Sequence, residues 1–176
     1  VIEETGYFPN NIARSLKIKK TKTIGVLFPD IGNPFYFEVL KGIEKKLYDE
    51  DFSIMLCTSD YDEIKELKNA SLLASKKVDG IIAAPCSEKS KAILLLKKRE
   101  VPLVLIDIPQ DNLKASGVFV DHSKCSYIAC NFLIKKGHRK IAIIDANRRA
   151  EGDSKFIQGY FKALIENNLD IDNDLI

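Results

Sequence analysis

No apolar run in these 176 residues approaches the roughly 20 needed to cross a bilayer, and the N-terminus lacks a secretory signal pattern. The expected compartment is therefore the cytoplasm. Cysteine is sparse. Cys57, Cys86, Cys125 and Cys130 contain no C-x-x-C pair, and a chain of this size has no need of disulfide staples, so free thiols are expected. Cys125 and Cys130 lie five apart on an expected helix, which turns them about 140° from each other and argues against shared metal ligation. The G-x-G-x-x-G, Walker A and G-x-S-x-G patterns are absent, so nothing marks a dinucleotide, a nucleotide phosphate or an acyl-transfer nucleophile. His122 and Ser123 adjoin Asp121 without an oxyanion arrangement, and His138 follows Gly137 at a helix C-terminus, a place for a structural histidine. The expectation is a protein that is not an enzyme and uses no cofactor or metal.

A hydrophobic content of 45% and a charged content of 30% are those of a globular chain holding one substantial core, or one domain and part of another. The net charge is only +2, so any attraction for nucleic acid must come from local clustering. That cluster is at the N-terminus. Between Thr5 and Pro29 no acidic residue occurs, whereas Arg14, Lys17, Lys19, Lys20 and Lys22 are all cationic. Pro9-Asn10-Asn11 reads as a helix start with capping side chains, and Ile12 to Lys17 makes barely two turns, too few to be stable alone. Such a helix needs a partner, and its charge selects a polyanion; DNA is the leading candidate.

After Lys22, short β-rich runs alternate with helical patterns. Strands are expected at Thr23 to Phe28, Ser53 to Thr58, Gly80 to Ala84, Leu103 to Asp107, Val118 to Asp121 and Lys140 to Asp145. Helices are expected at about 34–50, 62–77, 88–99, 122–136 and 153–168. In the first of these, Phe35, Val39, Leu40, Ile43 and Leu47 make one apolar face. Runs such as Ile81-Ile82-Ala83-Ala84 and Leu103-Val104-Leu105-Ile106 suit strands covered on both sides. The fold class is α/β, a doubly wound parallel sheet. In such a sheet ligands sit beyond the carboxyl ends of the strands, which directs attention to Asp30, Asn33, Phe35 and Tyr36; Ser59 and Asp60; Pro85, Cys86 and Ser87; Ile108; and Asp121. A sugar or similar polar molecule needs fixed hydrogen-bonding groups, here Asp30, Asn33 and Asp121, and an aromatic face, here Phe35 and Tyr36. The simpler alternative is that Asn33-Pro34 only caps the helix and that Phe35 is core.

Four phrases in order resemble the lactose-repressor (LacI/GalR) family of transcription regulators: Tyr7-x-Pro9-Asn10-x-x-Ala13-Arg14-Ser15-Leu16; Ile24-Gly25-Val26-x-x-Pro29-Asp30-x-x-Asn33-Pro34-Phe35; Val78-Asp79-Gly80-Ile81-Ile82; and Gly137-His138-Arg139-Lys140-Ile141-Ala142. The resemblance implies a periplasmic-binding-protein-like I (Rossmann-like) effector domain. Residues 1–22 would be the end of the DNA-binding region, hinge helix and linker, 23–121 the N-terminal subdomain, and 122–176 the beginning of the C-terminal subdomain. A helix-turn-helix is expected upstream of Val1, and most of the second lobe downstream. The implied protein is a repressor whose operator affinity is set by a small-molecule effector, a sugar or sugar derivative. It would act as a homodimer whose paired hinge helices move with the angle between lobes. The effector contacts would be Asp30, Asn33, Phe35, Tyr36, Ser87 and Asp121. In the hinge, Asn11, Ala13, Arg14, Ser15 and Lys17 would touch the DNA while Leu16 wedges between base steps. The chain departs from the family at Phe156, where an arginine often stands, and in the loop Asp145 to Gly152, which lacks the usual Gly-Pro. Arg148 and Arg149 could replace it from the loop, but two cations on a polar loop are expected simply to be solvated. The alternative function is a clamshell sugar-binding protein that never touches DNA, against which Tyr7 to Lys17 argues.

Overall fold

The computed structural model describes residues 20–87, 89–108, 115–145 and 154–176. The hinge residues Asn11, Ala13, Arg14, Ser15, Leu16 and Lys17 lie outside the described residues, as do Arg148 and Arg149. The chain divides into two compact units between Phe119 and Val120.

In the first unit the β-branched and apolar runs form β1 (Thr23–Phe28), β2 (Ser53–Thr58), β3 (Gly80–Ala83), β4 (Leu103–Ile106) and β5 (Ser116–Val118). They make one sheet in the order β2-β1-β3-β4-β5, with every neighbouring pair parallel. The register sets Val26 opposite Leu56 and Ile82. The connecting helices are α1 (Pro34–Tyr48), α2 (Glu63–Ser75) and α3 (Lys91–Lys98). Successive side chains of a strand point to opposite faces, and this alternation sorts the core into two layers. Leu27, Ile81, Ala83 and Leu105 pack with Ala70 and Leu73 of α2 and Ala92, Ile93 and Leu96 of α3. Val26, Phe28, Ala84 and Ile106 pack with Tyr36, Val39, Leu40 and Ile43 of α1. Helices therefore cover both faces. Gly25 makes room for α2: a Cβ there would stand 3.1 Å from both Leu73 methyls and from Ile81 Cγ1.

The apolar face of α1 is rotated from the expected one. Tyr36 takes the core position with Val39, Leu40 and Ile43, while Phe35 is 42% exposed. The last strand of this unit also differs, ending at Val118 rather than Asp121. Asp121 leaves the ladder to cap the next helix.

The second unit contains α4 (His122–Lys135) and α5 (Lys155–Glu166) and a 3-10 turn at Asn173–Leu175. Cys130, Ile134, Tyr160, Ala163 and Leu164 bury one another together with Ile141. Tyr160 Oη donates to the Ile141 carbonyl at 2.7 Å, and Tyr127 Oη donates to Glu166 Oε2 at 2.6 Å. The helices touch closely at Gly159, where a Cβ would fall 1.9 Å from the Ser123 carbonyl oxygen. Lys140 to Asp145 was expected as a strand, but it forms no ladder among the described residues. A strand requires a neighbour, and among the described residues this segment's backbone instead donates Ile143 N–H to the Leu175 carbonyl at 2.8 Å.

Candidate functional site

Strand order decides where a ligand can enter. From β1 the chain moves outward to β2, then crosses back to β3 on the other side of β1, so the connections leaving β1 and β3 run to opposite faces. The connections diverge beyond the carboxyl ends of these two strands, the switch point where ligands of open α/β sheets bind.

Two side-chain turns shape the loop after β1. Asp30 Oδ1 accepts Gly32 N–H at 2.7 Å, and Asn33 Oδ1 accepts Phe35 N–H at 3.0 Å, capping α1 just before Pro34 at its first position. Each turn occupies one acceptor. Among the described residues neither the other Asp30 oxygen nor the Asn33 amide nitrogen has a hydrogen-bond partner recorded. Phe35 presents an exposed ring at the start of α1, held edge-on 5.1 Å from the Tyr36 ring. Tyr36 is itself 6% exposed and stacks 5.2 Å from Phe28. Of the two aromatic residues expected to face a ligand, only Phe35 has an open surface. Tyr36 faces the sheet because it shares the helical stripe of Val39, Leu40 and Ile43.

The loop after β3 brings Pro85, Cys86 and Ser87 to the same edge, tied to β1 by Ala84 N–H on the Leu27 carbonyl at 2.9 Å. The turn after β2 is tied there too, with Ser59 N–H on the Phe28 carbonyl at 3.0 Å and Asp60 N–H on the Pro29 carbonyl at 2.7 Å. Asp30, Asn33, Phe35 and Ser87 therefore share one edge of one sheet. Asp121 belongs to the second unit, where its Oδ1 caps α4 by accepting Lys124 N–H at 2.9 Å. Beside it His122 lies 4.7 Å from the ring of Phe156.

A buried group that the sequence reading overlooked is Glu66. It is 1% exposed on α2, and its oxygens accept Cys86 N–H and Ser90 Oγ–H, each at 2.7 Å. Ser59 Oγ and Cys86 Sγ are 3.1 Å apart. Burial, with the Glu66 carboxylate nearby, pushes the Cys86 thiol up to about 11 despite the opposing Ser59 hydrogen bond, so it is a protonated thiol at neutral pH. The signal was available: Glu66, Ala70 and Leu73 follow helical spacing on the buried face of α2.

At the opposite edge of the sheet, Asp79 holds the chain that enters β1. Its carboxylate accepts Thr21 N–H at 2.9 Å and Lys22 N–H at 2.8 Å. Lys22 was grouped with the cations facing a polyanion, but its ammonium donates to the Glu50 carbonyl at 3.0 Å and lies 4.5 Å from the Phe52 ring centre.

A parallel sheet wound to both sides, with polar turns and an exposed aromatic ring at its switch point, makes this unit a doubly wound α/β lobe. The chain belongs to the family described as periplasmic binding proteins and sugar binding domain of LacI family, whose model matches residues 21–175. It is 39% identical over 178 aligned residues to the HTH-type transcriptional regulator RegA of Clostridium saccharobutylicum, covering 99% of this chain and 53% of that protein. The transcription regulator CcpA of Lactococcus lactis superposes with a TM-score of 0.75 at 30% identity, over 87% of this chain and 56% of that one. The regulator CelR in complex with cellobiose gives a TM-score of 0.73 at 25% identity, over 99% of this chain and 53% of that one. The chain spans about half the length of the curated relatives it matches. No helix among the described residues is long and apolar enough to cross a membrane.

Proposed function

We propose that this chain is the effector-responsive part of a cytoplasmic, homodimeric transcriptional repressor that binds operator DNA and carries out no catalysis. The supporting observation is the switch-point edge itself, where the turns of Asp30 and Asn33 precede an exposed Phe35 ring and Ser87 follows β3, within a fold shared with a regulator solved in complex with cellobiose. Carboxylate and amide groups fixed by their own turns suit vicinal hydroxyls, and the Phe35 ring suits the C–H face of a pyranose. In this reading Tyr36 acts by buttressing Phe35, and Asp121 is a further effector contact. Asn11, Ala13, Arg14, Ser15, Leu16 and Lys17 form the operator-contacting hinge. The effector acts only through its different affinities for the DNA-competent and DNA-incompetent states.

The test is calorimetric titration of the full-length regulator with cellobiose, sucrose, glucose and adenosine, followed by selection of bound duplexes from a random DNA library with and without the best ligand. Saturable binding of a sugar that changes retention of the selected duplex supports the proposal. Tight binding of adenosine alone would replace the sugar by a nucleoside. Failure to enrich any DNA would leave only a clamshell binding protein.

A further inference from the structure

Glu66 is the one fully buried side chain among the described residues that carries a carboxylate, and it lies beside the edge where the effector is proposed to bind. Its two oxygens bridge the ends of the five-residue segment from Cys86 to Ser90. At one end it holds a backbone N–H. At the other it holds the hydroxyl of Ser90, whose oxygen simultaneously accepts Ile93 N–H at 3.2 Å as the cap of α3. Ser90 and Ser59 are also buried, and Ser59 Oγ meets the Cys86 thiol. The α2 helix is in turn pinned to the end of β2 through Asn69 Nδ2 on the Thr58 carbonyl at 2.9 Å. A buried carboxylate is costly to desolvate, and a core stripe continuing Ala70 and Leu73 would be filled more cheaply by an apolar residue. Here the carboxylate supplies the acceptors for the Cys86 N–H and the Ser90 hydroxyl.

We propose that Glu66 is a positioning residue for effector recognition: by clamping both ends of the β3–α3 loop it fixes Ser87 at the switch point and so sets which small molecules the site accepts. This rests on the effector reading given above. Glu66 touches no ligand. It acts through the backbone at Cys86 and through the first turn of α3, as a buried support does for a binding group whose own placement must hold within a fraction of an ångström.

The test compares Glu66→Gln, Glu66→Asp and Glu66→Met in the full-length regulator, titrated with cellobiose, sucrose, glucose and adenosine at a temperature where circular dichroism shows each variant folded. Gln retains an acceptor for Cys86 N–H and offers Ser90 Oγ a donor, so its affinity should stay within about threefold of wild type. Met removes both anchors, and Asp keeps the charge but is one methylene short. Both should bind the preferred ligand at least about tenfold more weakly and lose discrimination among the four. If Met does not fold, Asp carries the comparison. Wild-type affinity and ligand ranking in the Met or Asp variant, with only a lowered melting temperature, would reduce Glu66 to a structural residue and overturn the proposal. Equal losses in Gln and Met would overturn the geometric account too. If the wild type binds none of the four, the effector reading falls and takes this proposal with it, an outcome distinct from a wild type that binds beside variants that bind equally well.

Discussion

Asp79→Ala would release the chain entering β1 from its side-chain anchor. Two backbone donors and a hydroxyl converge on this one carboxylate: Thr21 N–H at 2.9 Å, Lys22 N–H at 2.8 Å and Thr21 Oγ1 at 3.3 Å. Asp79 in turn donates its own N–H to the Thr23 carbonyl at 2.8 Å. Lys22 sits between these bonds at φ 51°, a left-handed conformation that a non-glycine residue occupies at some cost. It stays there while its carbonyl accepts Ser53 N–H at 2.8 Å and its ammonium reaches Glu50. Charge-assisted hydrogen bonds contribute about 1.5–3 kcal/mol when desolvated, but one of these N–H bonds is part-buried and the other exposed, so about 1 kcal/mol each is the appropriate scale. Alanine should then cost about 2 kcal/mol locally, which corresponds to about a 30-fold faster amide exchange at Thr21 and Lys22. Asparagine keeps one acceptor but turns an NH₂ toward the second donor, so it should recover less than half of the loss. Hydrogen exchange on the folded protein measures this directly. Rates at both amides within about threefold of wild type would show that the backbone turn holds itself and that the carboxylate is incidental. In the full-length regulator the same substitution should weaken operator binding while leaving sugar affinity unchanged, because Asp79 lies at the edge of the sheet opposite the candidate site.

Gly159→Ala should destabilise the second unit by more than about 3 kcal/mol, since its Cβ would meet the backbone of α4 rather than a movable side chain; a chemical denaturation midpoint equal to wild type would contradict the packing described. Cys86 has a folded-state value raised from 9.0 to about 11, so the native thiol holds its proton more tightly than the unfolded one. Its contribution to stability is complete below about pH 9 and is lost as pH rises toward 11, so Cys86→Ala should flatten the alkaline part of the stability curve; identical curves would refute this. Phe35→Ser should weaken sugar binding at least about tenfold with little change in melting temperature, because an exposed ring contributes to a ligand rather than to the core; an equal loss of stability would make Phe35 a core residue instead. In the full-length protein Leu16→Ala should reduce affinity for the selected duplex much more than for random DNA, and equal losses would remove the wedge from the mechanism.

Much of the fold is visible along the chain because local periodicity and burial coincide. The doubly covered strands around Ile81 and Leu105, the cap at Asn33 and the presence of each helix follow from patterns a few residues long, whereas the caps at Asp62 and Ser90 fall inside the helices expected at 62–77 and 88–99. The family resemblance was legible for a different reason: Asp30, Asn33 and Pro34 occupy a turn whose chemistry is local. Lys140 to Asp145 shows the limit. It has strand composition, but pairing is a property of a neighbour, and periodicity carries no information about whether one is present.

What the sequence by itself determined is thus the α/β alternation, the presence and approximate extent of each helix, and the placing of polar residues just after the strands. The tertiary structure alone decided which aromatic ring is exposed, since one residue of rotation around α1 exchanges Tyr36 for Phe35. It also decided that Lys22 folds back onto Glu50 and Phe52, and that Glu66 stands inside the protein holding a loop 20 residues away. Each of these depends on where a side chain's partners arrive from distant parts of the chain, and such meetings are fixed by sheet order and helix packing rather than by neighbours in sequence.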